Sequence, residues 1–358
     1  MIPYLSVIIP AFNEEAIIAD HVTQVAEFCY RHLGPDKPFE IVVVDDGSSD
    51  ETPEVLAKLM QERDYLRVER HPRNMGRGQG LITGFNAVRG EYVVSLDADL
   101  SYTPEHIARL LPPLESGLAD VVLASAYHPE GSVANVPFSR ALISKLGNKV
   151  LASSFKEKIH TVTCIVRGYR REVLEAVTLF SRGKEIHLEI LQKARMLGFK
   201  IMEVPADLSW RAGKRTSGRK GLTLSSFSNM ASHHLFFNFL YRPSALFWIP
   251  LILLLLIFFI TTYLNIYGYV DVYLQLDEFS GFNRFYQALR EHMLFAKLTY
   301  FVWAMCVLLL FQFVSQIFLA KQNNHYFAET FSMLSHMNQR LKKIEAREQD
   351  ADSREDAG

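Results

Sequence analysis

Short apolar runs alternate with amphipathic stretches through the first two thirds of the chain. The runs are rich in Val, Ile and Leu, as expected of strands that are buried on both faces. After the first run, Ile18, Val22 and Val25 recur at helical spacing. Strand followed by helix, repeated, predicts an α/β domain with a largely parallel sheet over residues 1–221. The predicted strands occupy 4–10, 39–44, 66–69, the first part of the stretch 91–101, 120–124, 164–169 and 200–204.

The last third of the chain has a different pattern. Residues 244–266 and 298–320 are apolar and uncharged over about the length that crosses a bilayer, so they predict two transmembrane helices. Residues 222–243 mix Leu, Phe and Met with Ser, Asn and His, and they predict an interfacial amphipathic helix. Residues 267–297 would form the extracytosolic loop, with a short helix. Residues 321–358 would form a cytosolic tail that is helical and partly disordered.

Charge and composition indicate a membrane protein rather than a nucleic-acid-binding protein. The net charge of −1 is too low for general nucleic-acid binding. Lys and Arg cluster before the first span and after the second, which predicts cytosolic termini and a cytosolic first domain. The three scattered cysteines favour a reducing compartment, and with no secretory leader we expect the first domain to stay on the cytosolic side. We expect an integral protein of a prokaryotic plasma membrane rather than of the endoplasmic reticulum. A short heptad-like repeat in the tail allows a homo-oligomer.

Polar residues follow three of the predicted strands where each strand ends. They are Asn13-Glu14, Asp45-Asp46 and Asp97-Ala98-Asp99. Ligands of open parallel sheets bind beyond the carboxyl ends of the strands, so these clusters predict a binding crevice. On an extended backbone Asp97 and Asp99 point to the same side, and two carboxylates can share a hard cation that suits a phosphate substrate. The alternative is a polar turn or a helix cap, since Asp is favoured in both.

A glycine-rich loop and a basic loop are further candidates for anion binding. The first, Asn74-Met75-Gly76-Arg77-Gly78, does not match a dinucleotide fingerprint, but its glycines let backbone amides approach an anion beside a cation. The second, at 211–220, holds five cations among small residues. It could be a solvated loop, a clamp on a phosphate or an anchor to anionic headgroups, and its position before the membrane segments favours the anchor.

These motifs together resemble the family 2 glycosyltransferases of the GT-A fold and, more narrowly, the polyprenyl-phosphate glycosyltransferases. The resemblance rests on VIIPAFNEE, EIVVVDDGSSDET, RNMGRGQG and SLDADL in that order, followed by YRREVLE, LGFKIMEVP and the two membrane segments. It implies an inverting transfer of one hexose or N-acetylhexosamine from a UDP- or GDP-sugar to a polyprenyl phosphate at the cytosolic membrane face. The implied cofactor is Mg²⁺ or Mn²⁺.

The resemblance also assigns roles to residues. Asp97 and Asp99 would hold the metal on the diphosphate and, with Arg140, would form the catalytic set. Residues that would contact the nucleotide sugar are Pro10, Asn13, Glu14, Asp45, Asp46, Asn74, Gly76, Arg77 and Asp97. Residues that would contact the acceptor phosphate are Arg140, Ser144, Arg211, Lys214, Arg215 and Lys220.

Three positions depart from the pattern of the family, mostly on the acceptor side. Ser101 replaces a usual Gln, Ala126 replaces an Arg found in many members, and Thr161 replaces an Asp. An ionised phosphate acceptor needs no general base, although Glu185 and Glu189 remain candidates for a catalytic carboxylate. Two other functions stay open: a processive or other-acceptor membrane glycosyltransferase, and a catalytically impaired nucleotide-sugar-binding scaffold. The intact aspartate pair and the lack of a Q-x-x-R-W run favour transfer to a lipid phosphate.

Overall fold

The structure is a computed structural model that describes residues 2–152, 155, 158–210 and 243–355. The chain divides into one unit of Met1–Phe237 with Thr330–Gly358 and a second unit of Asn238–Glu329. The basic loop at 211–220 lies outside the described residues, and so does the interfacial helix predicted at 222–243, apart from its last residue.

The first unit is built on a mixed, mostly parallel sheet. Across its described residues, seven strands pair in the order β3-β2-β1-β4-β7-β5-β8, and β7 alone runs antiparallel to its neighbours. The predicted α/β class is therefore confirmed. A small second sheet pairs β6 with β9. The strands are β1 Leu5–Ala11, β2 Phe39–Asp45, β3 Leu66–Arg70, β4 Tyr92–Ser95, β5 Val121–Ser125, β6 Ser132–Ala134, β7 Arg167–Arg170, β8 Ile201–Pro205 and β9 Asp207–Ser209.

Helices follow most of the strands and cover the sheet. The side of α1 that carries Ile18, Val22 and Val25 is fully buried, as its spacing predicted. Pro53 lies in the first turn of α2, where its missing donor costs nothing. The helices of this unit are α1 Ile18–Leu33, α2 Thr52–Glu62, α3 Arg77–Ala87, α4 His106–Glu115, α5 Phe138–Ala152, α6 Arg171–Ala176 and α7 Ile186–Met196.

The sheet register brings three strand ends together. In the parallel sheet, β1 lies between β2 and β4, with Leu5 opposite both Phe39 and Tyr92. Val7 to Ile9 and Ile41 to Val44 are fully buried, so these central strands are fixed by apolar packing on both faces. Because parallel strands end at the same edge, the polar residues after β1, β2 and β4 share that edge.

The second unit contains α8 (Pro243–Gln275), α9 (Gly281–Phe295) and most of α10 (Lys297–Glu355). Two segments of α8 and α10, Pro250–Gln275 and Lys297–Ser335, are long and apolar enough to cross a membrane. Trp303 Nε1 donates a hydrogen bond of 2.9 Å to Thr262 Oγ1, which ties the two helices together.

Both long helices extend beyond their predicted ends. The first continues past residue 266 to Gln275, and the second continues through the tail to Glu355, where the sequence predicted partial disorder. The tail is rich in Glu, Lys, Arg and Gln, which all favour helix, and this propensity explains the difference.

Candidate active site

The residues after β1 are hydrogen-bonded to the loop after β2. Asn13 adopts a left-handed φ of 54°, and its Oδ1 accepts a hydrogen bond of 2.9 Å from the Ser49 amide. The Asn13 amide donates to Ser48 Oγ, and the Glu14 amide donates to Thr52 Oγ1, each at 2.9 Å. Asn13 and Glu14, which the sequence predicts to contact the nucleotide sugar, are therefore held at the end of β1 against the loop that follows Asp45 and Asp46.

The two aspartates at the end of β2 are buried and hold neighbouring loops in place. Asp45 accepts a hydrogen bond of 2.9 Å from the Ser48 amide and pairs with Arg70 Nε at 3.1 Å. Asp46 accepts hydrogen bonds from the amides of Met75 at 2.8 Å and Gly76 at 2.9 Å. Its Oδ1 also lies 2.8 Å from Nδ1 of His71, a histidine that sequence reasoning missed. The Asp46 carboxylate therefore anchors the glycine-rich loop.

The glycine-rich loop leads directly into the N-terminus of α3. Gly76 has a left-handed φ of 95°, and the Gly78 amide donates a hydrogen bond of 2.8 Å to the Arg182 carbonyl. A Cβ added to Gly78 would lie 2.5 Å from the Ser181 carbonyl oxygen, so only glycine fits there. Asn74 is exposed beside this loop. The N-terminus of α3 carries partial positive charge at the same edge, which suits an anion, while its Gly78 amide is already bonded to the Arg182 carbonyl.

The segment that packs on the glycine-rich loop is held by a buried ion pair. Glu189 accepts hydrogen bonds from the amides of Phe180 at 3.1 Å and Ser181 at 2.8 Å, and it pairs with Lys193 Nζ at 2.6 Å. Both charged side chains are almost fully buried. Glu189 therefore holds backbone in place, whereas the sequence suggested it as a candidate catalytic carboxylate.

The aspartate pair after β4 lies in a turn rather than on an extended strand. The strand ends at Ser95, and the chain turns with a left-handed φ of 47° at Leu100. Asp99 Oδ1 accepts a hydrogen bond of 2.9 Å from the Ser101 amide, inside this turn. The sequence predicts the two carboxylates on one side because side chains alternate along a strand, and that reason is wrong. The two aspartates are instead close to each other because they belong to one turn.

Two further contacts fix this turn. Arg77 Nη1 lies 3.5 Å from Asp97 Oδ1, so the structure brings two predicted donor-binding residues together. On the buried side, the ring of His21 is hydrogen-bonded through Nδ1 to the Ala98 carbonyl. His21 is fully buried in α1, and its position between Asp20 and Val22 in the sequence gave no signal for this role.

The carboxylate oxygens of Asp97 and Asp99 are ligands of the kind that a hard cation such as Mg²⁺ prefers. Both side chains are half-buried at the carboxyl edge of the sheet, and each has two carboxylate oxygens. In the part of the chain that the structure describes, no group of three or more His, Cys, Asp or Glu side chains could hold a metal alone. Mg²⁺ commonly takes one or two protein carboxylates and completes its shell with phosphate oxygens and water. Two aspartates therefore suffice when the substrate is a diphosphate.

Two of the six predicted acceptor residues, Arg140 and Ser144, lie on α5. The Arg140 guanidinium stacks over the Trp210 ring, 5.4 Å from its centroid. Ser144 is exposed, and its carbonyl accepts a hydrogen bond of 2.9 Å from Asn148 Nδ2. Arg211, Lys214, Arg215 and Lys220 lie outside the described residues.

A loop beside α5 is held by three buried polar side chains that sequence reasoning missed. Asn148 Oδ1 accepts hydrogen bonds from the amides of Val162 at 2.7 Å and Thr163 at 3.1 Å. Arg167, with no exposed surface, donates to the carbonyls of Cys164 at 2.7 Å and His187 at 2.8 Å. The third side chain is Glu203. Neither the amphipathic pattern of α5 nor the short strand β7 signals these roles.

The departure at Thr161 has a structural explanation. The Thr161 hydroxyl forms a hydrogen bond of 2.7 Å with Ser125 Oγ, and its amide donates to Glu203 Oε1 at 2.6 Å. Thr161 is buried, so its hydroxyl holds the loop against the end of β5. A charged aspartate at this position would have to be accommodated without water, which is costly.

Burial shifts the pKa values of two groups near the site. Burial lowers the pKa of His106, whose Nδ1 donates to the Thr103 carbonyl at 2.8 Å and whose Nε2 accepts from the Asp207 amide at 2.9 Å. This neutral ring fixes β9, whose Ser209 amide donates to the Ser101 carbonyl at 3.0 Å. Burial also raises the pKa of the Cys164 thiol to about 11, so the thiol stays protonated.

Comparison with known proteins identifies the class of this site. The family model for glycosyl transferase family 2 matches residues 6–178. The polyprenol monophosphomannose synthase of Mycolicibacterium smegmatis is 34% identical over 212 residues, which is 57% of this chain and 77% of that protein. The dolichol-phosphate mannosyltransferase of Pyrococcus furiosus is 34% identical over 226 residues, which is 62% of this chain and 61% of that protein.

The glucosyl-3-phosphoglycerate synthase of Mycobacterium tuberculosis, in complex with Mn²⁺, uridine diphosphate and phosphoglyceric acid, superposes with a TM-score of 0.48 at 22% identity. The superposition covers 65% of this chain and 76% of that one.

Proposed function

The chain belongs to glycosyl transferase family 2, and from this premise we propose that it transfers one hexose or N-acetylhexosamine from a UDP- or GDP-sugar to a polyprenyl phosphate. The names of its two mannose-transferring relatives support a lipid-phosphate acceptor. The observation that carries the proposal is the edge of the sheet where Asp46 holds the glycine-rich loop and Arg77 lies 3.5 Å from Asp97.

On the donor side, the diphosphate would lie between the glycine-rich loop and the turn after β4. Asp97 and Asp99 would hold Mg²⁺ or Mn²⁺, which when bound neutralises charge on the departing nucleoside diphosphate. Arg77 and the first amides of α3 would stabilise the same negative charge. The nucleoside would lie against Pro10, Asn13 and Glu14.

On the acceptor side, the lipid phosphate would attack the anomeric carbon with inversion. A phosphate monoester is largely ionised at pH 7, so no side chain has to remove a proton from it. Arg140 and Ser144 would orient its oxygens, with Arg140 offering the planar donors that suit a phosphate. Because the acceptor is a membrane lipid, we expect the two apolar helices to cross the membrane and the first unit to face the cytosol.

The experiment uses the purified full chain in detergent with radiolabelled UDP- and GDP-sugars, Mg²⁺ or Mn²⁺, and polyprenyl phosphate. We expect label in the organic extract for at least one donor, and loss of that label with EDTA. The Asp99→Asn variant should also lose it, while Asp20→Asn, an exposed aspartate on α1, should retain it. No lipid-extractable label for any donor would contradict the proposal.

A further inference from the structure

The last part of α10 belongs to the first unit, where it contacts α6 and α7. Ser335 Oγ donates a hydrogen bond of 2.7 Å to the carbonyl of Ala176. Ala176 is the last residue of α6 and is buried. The last carbonyls of a helix have no partner within that helix, and a buried carbonyl without a partner is costly. Ser335 therefore satisfies a group at the end of α6.

A second contact of the same helix covers a buried lysine. Lys193 Nζ lies 5.5 Å from the centroid of the Phe331 ring and 4.5 Å from that of Phe180. Lys193 is only 4% exposed, and its ammonium pairs with Glu189. An ammonium that is kept from water is attracted to the faces of aromatic rings. Phe331 therefore both shields this ion pair from water and stabilises its cation.

The two contacts lie on one side of α10. Phe331 and Ser335 are four residues apart and half-buried, whereas Leu334 between them is 57% exposed. The helix is thus held to the domain along the side that carries the aromatic ring and the hydroxyl. The name tail contact is used below for the contacts of Phe331 and Ser335 with Lys193 and Ala176.

The groups of the tail contact also fix residues 177–182, the segment that follows α6. Lys193 Nζ donates a hydrogen bond of 2.5 Å to the Thr178 carbonyl. Glu189, the ion-pair partner of this lysine, accepts a hydrogen bond of 2.8 Å from the Ser181 amide. Hydrogen bonds to charged groups are stronger where water is excluded, so the ring that covers the ion pair also strengthens its hold on the segment.

The far end of this segment meets the glycine-rich loop. The Arg182 carbonyl accepts a hydrogen bond of 2.8 Å from the Gly78 amide. The same carbonyl oxygen would lie 2.7 Å from a Cβ added to either Gly76 or Gly78, so the segment and the loop are in close contact. Because closely packed groups leave no free space between them, a displacement of residues 177–182 would displace the loop as well.

We propose that the tail contact positions the donor site. Phe331 and Ser335 hold residues 177–182, and this segment holds the glycine-rich loop in the conformation that binds the diphosphate. The ligand is the sugar nucleotide of the proposed function, and in that respect the inference rests on that function. Coupling between two binding events is reciprocal, so a donor that binds better when the tail is docked also stabilises the docked tail.

The first test is calorimetric titration of the full chain with UDP- and GDP-sugars and Mn²⁺, without acceptor. In Phe331→Ala, donor affinity should weaken by at least about fivefold, because the loop loses part of its support. Ser335→Ala, a milder change, should weaken it in the same direction. Phe331→Tyr keeps an aromatic ring over Lys193 and should bind as the wild type does. Leu334→Ala, at the exposed position of the same helix, is the matched control and should also be unchanged.

The stoichiometry of binding separates positioning from a loss of folded protein. A positioning role lowers the affinity and leaves the number of sites per chain unchanged, whereas partial unfolding lowers the number of sites at unchanged affinity. Unchanged affinity in both Phe331→Ala and Ser335→Ala would overturn the proposal. A lower stoichiometry without a change in affinity would overturn it too.

The second test is amide hydrogen exchange, which needs neither turnover nor acceptor. Without ligand, residues 177–182 should exchange faster in Phe331→Ala than in the wild type or in Leu334→Ala. Adding the sugar nucleotide to the wild type should slow exchange at residues 330–335. Unchanged exchange at 177–182 in Phe331→Ala, or no response at 330–335 to a bound donor, would contradict the proposal. If the wild type binds no sugar nucleotide, the proposed function fails, while exchange at 177–182 still decides whether the tail holds this segment.

Discussion

The donor side and the acceptor side of the candidate site are built differently. On the donor side, buried carboxylates hold the loops, and Asp46 alone accepts hydrogen bonds from Met75, Gly76 and His71. On the acceptor side, Arg140 and Ser144 lie on one helix that is open to its surroundings, and the nearest buried polar network holds the loop behind them. The predicted donor residues are thus held in place by buried hydrogen bonds across several loops, whereas the predicted acceptor residues that the structure describes lie on a single helix.

The largest expected effect is on the donor side, at Asp46. In Asp46→Asn the side-chain amide cannot accept all the hydrogen bonds from the glycine-rich loop. Because two charge-assisted hydrogen bonds of about 2 kcal/mol each are weakened or lost, kcat/KM for the sugar nucleotide should fall by at least about 100-fold. The transfer assay measures this change. Asp20→Asn, exposed on α1, should match the wild type, and an unchanged kcat/KM in Asp46→Asn would show that the loop does not need this anchor.

A smaller effect is expected at Gly78, where the donor loop meets the 181–182 backbone. The new Cβ in Gly78→Ala would lie 2.5 Å from backbone atoms of Ser181 and Arg182, so the loop has to shift. With overpacking of about 1–3 kcal/mol, we expect donor affinity to weaken by about tenfold. Calorimetry of sugar-nucleotide binding measures it.

The control for this variant is Gly147→Ala, at a helical glycine with open space around its missing Cβ. It should leave donor affinity unchanged, because Gly147 is on α5. Equal donor affinity in both variants would argue that the contact between the glycine-rich loop and Arg182 is not needed for binding.

On the acceptor side, Asn148→Leu should lower stability without changing donor affinity. The variant leaves the buried Val162 amide and the half-buried Thr163 amide without their acceptor, which we expect to cost about 2–4 kcal/mol of unfolding free energy. Thermal unfolding of the full chain measures the loss, and Asn323→Leu, at an exposed helical position, should change little. Weaker binding of the sugar nucleotide in Asn148→Leu would contradict the claim that the donor and acceptor sides are independent.

The smallest expected effect is on the pH dependence of stability, through His106. Burial holds the folded pKa of His106 below its ordinary value of 6.5, so the unfolded chain binds this proton more readily than the folded chain. The stabilising contribution is therefore complete above about pH 6.5 and is lost as the pH falls through the folded pKa. Unfolding temperatures from pH 7.5 down to about pH 5.5 should fall more steeply in the wild type than in His106→Gln. Parallel slopes would contradict this role.

Much of the donor side could be predicted from sequence because its signals are local. Apolar runs located β1, β2 and β4, and parallel strand ends placed the polar clusters after them at one edge. What the sequence did not reveal are pairings between distant residues. Asp46 meets His71, and Glu189 meets the 180–181 backbone, through loops whose path no periodicity encodes.

The order of strands in the sheet also depends on pairings between residues that are distant in the sequence. Strand β7 has four residues, Arg-Gly-Tyr-Arg, and it lies antiparallel between β4 and β5 with Tyr169 opposite Val93 and Val121. The sequence predicts a strand at 164–169, but nothing in it indicates that this strand lies antiparallel inside a largely parallel sheet, because long-range pairing sets that place. Likewise, the turn that holds Asp97 and Asp99 depends on the left-handed φ at Leu100, which a leucine rarely adopts.

The most direct measurement is calorimetric titration of the full chain with sugar nucleotides, with and without Mn²⁺ or Mg²⁺ and without acceptor. A preformed, metal-dependent donor site predicts binding that weakens by at least about tenfold with EDTA and in Asp99→Asn, because charge neutralisation on the diphosphate is lost. Arg140→Ala should bind the donor as the wild type does. Equal affinity with and without metal, or a loss in Arg140→Ala as large as in Asp99→Asn, would contradict the account.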